Sequence, residues 1–296
     1  MDIGITTAFS HHTPIDYIVG AAQRIEAAGF ATVWVPEHVL FFPEYESSYP
    51  YSKDGRVPGD PDGVLDPFTA LTFVAANTST LRLGTGICLV PQRQPVYTAK
   101  MVADLDYLSG GRVDFGIGIG WLEEEFDALG MDFKRRAKDT TEYMAAMKAL
   151  WGPDPVTFEG ETVTIRNAQF NPKPVQSPVP VFVGGESEPA LRRVATFATG
   201  WYGYGVGPDE VEDHLVRLDA HLDAAGRTRD EIDIYISPNR GGVDRDMVDA
   251  YEAAGVAQLI LPLFAGSLDS LDGRIDALRT MTGMERPLSL IHISEP

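Results

Sequence analysis

Two neighbouring residues have the types and the setting for proton chemistry: Glu37 and His38, which close the apolar run VWVPEH. An unperturbed imidazole titrates at about pH 6.5, so a histidine at a strand end can take or give a proton near neutrality. A lone histidine is also often a hydrogen-bonded structural residue. Glycines form the second group of candidates. Gly84 and Gly86 lie inside LRLGTGICLV, Gly116 and Gly118 inside VDFGIGIGW, and Gly120 follows at the end of that run. Glycine weakens a strand, so each marks a bulge or a place where something large approaches the backbone; a flat ring would be such an object. Beside Gly120, Trp121 either walls a pocket or fills core. Glu124 shares the mouth with it, within an acidic run, Glu123 to Glu125, that suits the positive end of a helix. Gly184, Gly185, Glu186 and Ser187 precede a helical pattern, where backbone amides and a hydroxyl can hold an anion, although Gly-Gly is also an ordinary turn. His11 and His12 can reach a substrate from the first loop. As sequence neighbours they are expected to point apart, and the fragment Asp60, Pro61, Asp62, Gly63 lacks the glutamate that closes a calcium loop. No metal is assigned. P-loop, nucleophile-elbow and serine-triad motifs are absent from the sequence.

The elements that must position these residues alternate strand and helix. Continuously apolar strands read as buried on both faces of a parallel sheet. Arg82 to Phe126 is one complete βαβ unit: Pro95 stands at a first helical position, Tyr97, Met101, Leu105 and Leu108 keep helical spacing, and Gly110 and Gly111 stop the helix. The whole chain counts eight such strand–helix units, which points to a single (β/α)8 TIM barrel, with a doubly wound sheet as the alternative. In a barrel the loops after the strands build the active site. The loop after His38, residues 40 to 65, is rich in aromatics, proline and glycine, and loops of that length are lids or binding loops. The rhythm breaks over about 131–178, an insertion after strand 4 that holds a helix around Tyr143 to Leu150, a hairpin turning at Glu159 and Gly160, and a proline-rich lead. The barrel is expected to occupy residues 1–287. The last stretch, LSLIHISEP, resembles translated sequencing-adapter read-through, and residues 288–296 are read as a non-native or disordered tail.

Composition excludes several classes. The chain has 296 residues, 44% of them hydrophobic, enough for a large core. Its 24 basic and 43 acidic residues give a net charge of -19, which argues against nucleic acid as partner. There is no apolar run long enough for a membrane span and no signal-peptide pattern at the N-terminus, so a cytoplasmic protein is expected. The single cysteine, Cys88, has no disulfide partner and reads as a small core residue.

The motifs VWVPEH, LGTGICLVPQRQPVYTAKMVADLDYLSGGRVDFGIGIGWLEEEF, FNPKPVQSPVPVFVGGESEPALRRVA and TGWY together resemble the luciferase-like monooxygenase superfamily, and most closely its class of coenzyme F420-dependent oxidoreductases. The likeness spans nearly the whole chain. It implies a barrel that binds a deazaflavin, or alternatively flavin mononucleotide (FMN), at the C-terminal mouth, in a homodimer. It further implies that His38 sits beside the reacting carbon as proton donor or acceptor, with Glu37 orienting it or binding the ring. A cis peptide between Gly86 and Ile87, beside Cys88, is expected to press on the central ring. Gly184, Gly185, Glu186 and Ser187, with Gly120, are expected to bind the cofactor, the phosphate lying over the Gly-Gly turn with Arg192 or Arg193 as screening charges; Asn239 and Arg240 are the fallback. Trp121, Glu124 and His11 are expected to line the substrate pocket. The implied activity is hydride exchange between the deazaflavin and a small organic substrate, against two alternatives: a monooxygenase using reduced FMN and oxygen, and a cofactor-binding protein without turnover. Because that coenzyme carries phosphate and a glutamate tail, a locally basic channel is expected in this acidic protein.

Overall fold

The structure is a computed structural model that describes residues 1–58, 61–238 and 242–284. Asp60, Asn239, Arg240 and the proposed non-native tail lie outside the described residues. Eight parallel strands close into a barrel. They are β1 (Asp2–Thr6), β2 (Thr32–Val35), a third made of two pieces, β3 (Arg82–Thr85) and β4 (Cys88–Leu89), then β5 (Val113–Gly118), β8 (Val181–Gly184), β9 (Gly200–Tyr204), β10 (Asp233–Ser237) and β11 (Gln258–Pro262). β1 pairs with both β2 and β11, while β3 and β4 both pair with β5, so the ring has no free edge. Outside it lie α1 (Ile15–Ala27), α2 (Pro67–Ala75), α3 (Pro95–Ser109), α4 (Glu123–Leu129), α5 (Arg136–Trp151), α6 (Glu188–Phe197), α7 (Pro208–Ala225), α8 (Arg245–Ala253) and α9 (Leu268–Thr282). Between α5 and β8 the chain makes a separate two-stranded antiparallel sheet, β6 (Val156–Glu159) with β7 (Thr164–Ala168).

Local chemistry places the elements around the mouth. The Asp66 carboxylate caps α2 by accepting from Thr69 N–H at 2.9 Å, and Pro67 opens that helix with its φ already set. Gln94 caps α3 in the same way, Pro95 begins it, and Gly110 ends it in the left-handed conformation, φ 73°. The third strand does not run through as its apolar pattern suggests. It breaks at a cis peptide between Gly86 and Ile87.

The strand glycines are explained by packing inside the barrel. The indole of Trp34, fully buried, fills the axis together with Phe182, Tyr202 and Ile260. Its Nε1–H donates to Gln258 Oε1 at 3.1 Å, and Gln258 Nε2 donates in turn to Thr32 Oγ1 at 3.0 Å, so the one polar atom of the ring is satisfied. A side chain at Gly84 would overlap that ring, and a Cβ at Gly116 would come within 2.9 Å of it. The flat ring that these two glycines admit is therefore the protein's own tryptophan. Gly184, taken from sequence as a cofactor contact, is explained likewise: a Cβ there would sit 2.7 Å from Ile87 Cδ1. Gly120 turns the chain at φ 76° and lies against the Phe126 ring, 2.7 Å from where its Cβ would be.

Candidate active site

β2 delivers Glu37 and His38 to the mouth, and the structure sends them opposite ways. Glu37 is buried. Its carboxylate accepts from Leu89 N–H at 2.6 Å and from Arg93, whose guanidinium also pairs with Asp66. That network speaks against the assignment of Glu37 to catalysis: the group is buried, holds the backbone two residues beyond the cis peptide and has its charge taken up by Arg93. Cys88 is sealed beside it. Burial, and then the Glu37 charge, push its thiol well above the ordinary range, so it stays protonated and inert, and its side chain offers a cofactor nothing beyond packing.

His38 turns toward α4. Its Nδ1 lies 3.1 Å from Glu125 Oε2, and among the described residues Nε2 has no protein partner. Glu125 is fully buried, yet it is well supplied with donors. Val39 N–H at 2.6 Å, Leu40 N–H at 3.0 Å and Gln92 Nε2 at 2.9 Å all point at it. Burial alone would raise its pKa, but the bonds from His38, Leu40 and Gln92 outweigh burial and hold the carboxyl below its usual range. An ionised carboxylate on Nδ1 fixes the ring's orientation and leaves Nε2 turned away from it.

An aromatic belt runs outward from His38 across the mouth. Its ring meets Phe41 at 4.6 Å and the edge of Trp121 at 5.9 Å; Trp121 meets Tyr45 and Tyr49, Tyr49 meets Tyr51, and Tyr51 meets Tyr204 at 4.7 Å between centroids. Trp121 therefore walls the mouth and does not fill core. Glu124 does not line a pocket: it accepts from Glu46 N–H at 2.5 Å and Ser47 Oγ at 2.6 Å, anchoring the long loop to the start of α4. Those bonds overcome the desolvation that would raise its pKa and lower it to about 2. Glu186 plays the same part on the other side, accepting from Tyr204 N–H at 2.8 Å and Tyr51 hydroxyl at 3.3 Å, although burial dominates there and pushes the carboxyl up.

Ser187 is the exposed N-cap of α6, its side chain unused by the helix, and Gly185 precedes it at φ 107°. The residues that reading the sequence missed lie among the arginines. Arg136 at the start of α5 and Arg193 on α6 each keep a buried Nε without a hydrogen-bond partner, and neither makes an ion pair among the described residues. Burial lowers both pKa values; in Arg193 the nearby charge of Arg136 lowers it further, whereas in Arg136 the Glu123 carboxylate offsets part of the effect. From sequence Arg193 reads only as a screening charge, and Arg136 does not stand out within the basic run Lys134 to Lys138.

In the first loop the expectation about the histidines fails. The His11 and His12 rings stand 3.7 Å apart, and both reach toward Asp62. A cavity of about 170 Å3 opens at this side of the mouth, bordered by Thr7, His12, Tyr17 and Phe264. His12 lines it; His11 does not.

The site thus lies at the mouth of a closed parallel barrel with a broken third strand, where His38 at the end of the second meets Glu125 of α4. The family model described as luciferase-like monooxygenase matches residues 1–282, and the chain belongs to that family. An uncharacterized protein of Mycobacterium tuberculosis is 37% identical over 183 residues, a match spanning 61% of this chain and 65% of that relative's length. Among solved structures, an F420-dependent secondary alcohol dehydrogenase in complex with an F420-acetone adduct superposes with a TM-score of 0.74 at 17% identity, covering 93% of this chain and 97% of the other. Monooxygenase RslO1 from Streptomyces bottropensis superposes at 0.72 and 20% identity, covering 95% and 98%. Both likenesses are likenesses of fold. No helix among the described residues is long and apolar enough to cross a membrane.

Proposed function

We propose that the chain is an oxidoreductase, working as a homodimer, that exchanges hydride between a deazaflavin coenzyme of the F420 type and a small organic substrate held at the barrel mouth. The observation that carries the reading is the His38–Glu125 pair, a titratable ring with one nitrogen anchored on a buried carboxylate and the other open. His38 Nε2 accepts the hydroxyl proton of an alcohol substrate, or returns it to the carbonyl oxygen in the opposite direction. Glu125, ionised throughout, stabilises the imidazolium formed in between. The belt from Phe41 to Tyr204 keeps water away from that proton.

The residues present fit a flat, phosphate-bearing coenzyme. His38, Trp121 and the backbone bulge at Gly86 and Ile87 would frame its ring. Arg136 and Arg193, whose buried Nε atoms lack an acceptor, would hold its phosphate with the Ser187 hydroxyl and the first turn of α6. When bound, the coenzyme supplies the carbon that gives or takes hydride. The similarity of fold to an F420-dependent secondary alcohol dehydrogenase supports alcohols, aldehydes and ketones as the first substrates to try.

The experiment is a paired fluorescence titration with coenzyme F420 and with FMN, followed by turnover with a panel of alcohols and aldehydes. Micromolar F420 binding, with FMN at least tenfold weaker, a gap of about 1.4 kcal/mol, is expected. Preference for reduced FMN, with oxygen consumed, would replace this reading by that of a flavin monooxygenase. Binding without any turnover would leave a carrier of the coenzyme.

A further inference from the structure

Three potential ligand atoms converge at the rim of the barrel from two segments of chain. His12 Nε2 lies 2.8 Å from Asp62 Oδ2 and His11 Nε2 3.7 Å from the same oxygen, and the three ligand atoms all lie within 4.8 Å of one another. Backbone bonds hold them there. The turn that carries the histidines is closed on itself, with Ser10 N–H donating to Thr13 Oγ1, Thr13 N–H to Ser10 O, and His12 N–H to Ser10 Oγ. Leu65 N–H donates to Phe9 O at 2.8 Å, which fastens the chain just beyond Asp62 to the lead into that turn.

We propose that His11, His12 and Asp62 bind a divalent transition-metal ion of the zinc class, which ties the end of the long loop to the first loop. Two imidazoles and one carboxylate form a mixed nitrogen–oxygen set that suits zinc, whereas calcium and magnesium take all-oxygen shells. With metal–ligand bonds of about 2.0–2.1 Å, tetrahedral ligand atoms stand roughly 3.4 Å apart. His12 and Asp62 must therefore open slightly and His11 close slightly, small movements for side chains that are 70%, 57% and 61% exposed. His12 also borders the cavity beside Phe264, so the fourth position opens onto space that water or a small anion can occupy. The site stands apart from the His38 pair and does not depend on which coenzyme the mouth takes.

The test titrates tag-free, full-length protein with zinc chloride by calorimetry and with cobalt chloride by visible absorption. His12→Gln and Asp62→Asn are compared with His221→Gln, a control outside the cluster. One ion per chain is expected, with the intense visible bands of four-coordinate cobalt. Zinc affinity should fall at least tenfold in His12→Gln and Asp62→Asn and hold in His221→Gln. Because an ion that binds only the folded chain stabilises it by mass action, zinc should also raise the melting temperature of the unsubstituted protein and not that of Asp62→Asn. No binding, binding unchanged in His12→Gln and Asp62→Asn, or binding lost in His221→Gln would overturn the site.

Discussion

Two buried carboxylates flank the end of the second strand, and their surroundings set them different tasks. Glu37 has a permanent cation: Arg93 pairs with it and with Asp66, and Leu89 N–H fills another acceptor site. Glu125 has no permanent cation. Its charge is held by two backbone N–H groups, the Gln92 amide and the ring of His38. The first arrangement sets its carboxylate against a fixed guanidinium and is closed, and it steadies the backbone beyond the cis peptide. The second sets its carboxylate against a ring that can gain or lose a proton and whose far nitrogen has no protein partner among the described residues. Burial is common to both carboxylates; the partner is what differs.

Substitutions can break this contrast. His38→Ala should lower turnover roughly 100- to 10,000-fold, far more than it weakens coenzyme binding or folding, as steady-state kinetics, a fluorescence titration and thermal melts would report. Glu37→Ala should do the reverse. Arg93 keeps Asp66, but the buried Leu89 N–H loses its acceptor, which should cost about 1–3 kcal/mol of stability by urea denaturation, with the remaining folded protein near normal in rate. If Glu37→Ala instead removed activity from a stable protein, the division of labour would be wrong. Glu125→Gln keeps an acceptor for Val39 and Leu40 but removes the charge behind His38, and kcat should fall about tenfold, about 1.4 kcal/mol at the barrier, with KM little moved.

The smallest effect sharpens the comparison with a third carboxylate. Glu124 has its pKa lowered from 4.5 to about 2, so its contribution is complete above the ordinary value and is lost as pH falls from 4.5 through 2. Stability in that window should drop less steeply in Glu124→Gln than in the unsubstituted chain, measured by thermal melts at successive pH values, and the two curves should run parallel above pH 5.

Much of this was legible in the residue order. Apolar runs separated by capped helices spell a barrel because strands buried on both faces lose the alternation that a half-exposed sheet keeps. His38 stood out as a titratable group at a strand end. Its partner did not: three consecutive glutamates look alike at a helix start, and only the turn of α4 against β2 decides that Glu125 faces inward while Glu124 takes the loop. The strand glycines were legible as close approaches but not in what approaches, since the indole that needs Gly84 and Gly116 lies 50 and 82 positions earlier in the chain. The approach of Arg136 to Arg193 is a property of tertiary packing alone. So is the meeting of His11 and His12 at Asp62, which depends on how two loops lie against each other.

Trp34 carries a consequence for traffic. With its indole wedged across the axis and Phe182, Tyr202 and Ile260 packed around it, the barrel is filled at that level and is not a pore. A molecule seated at the mouth therefore has no way out along the axis and must go back over the loops that it passed on arrival.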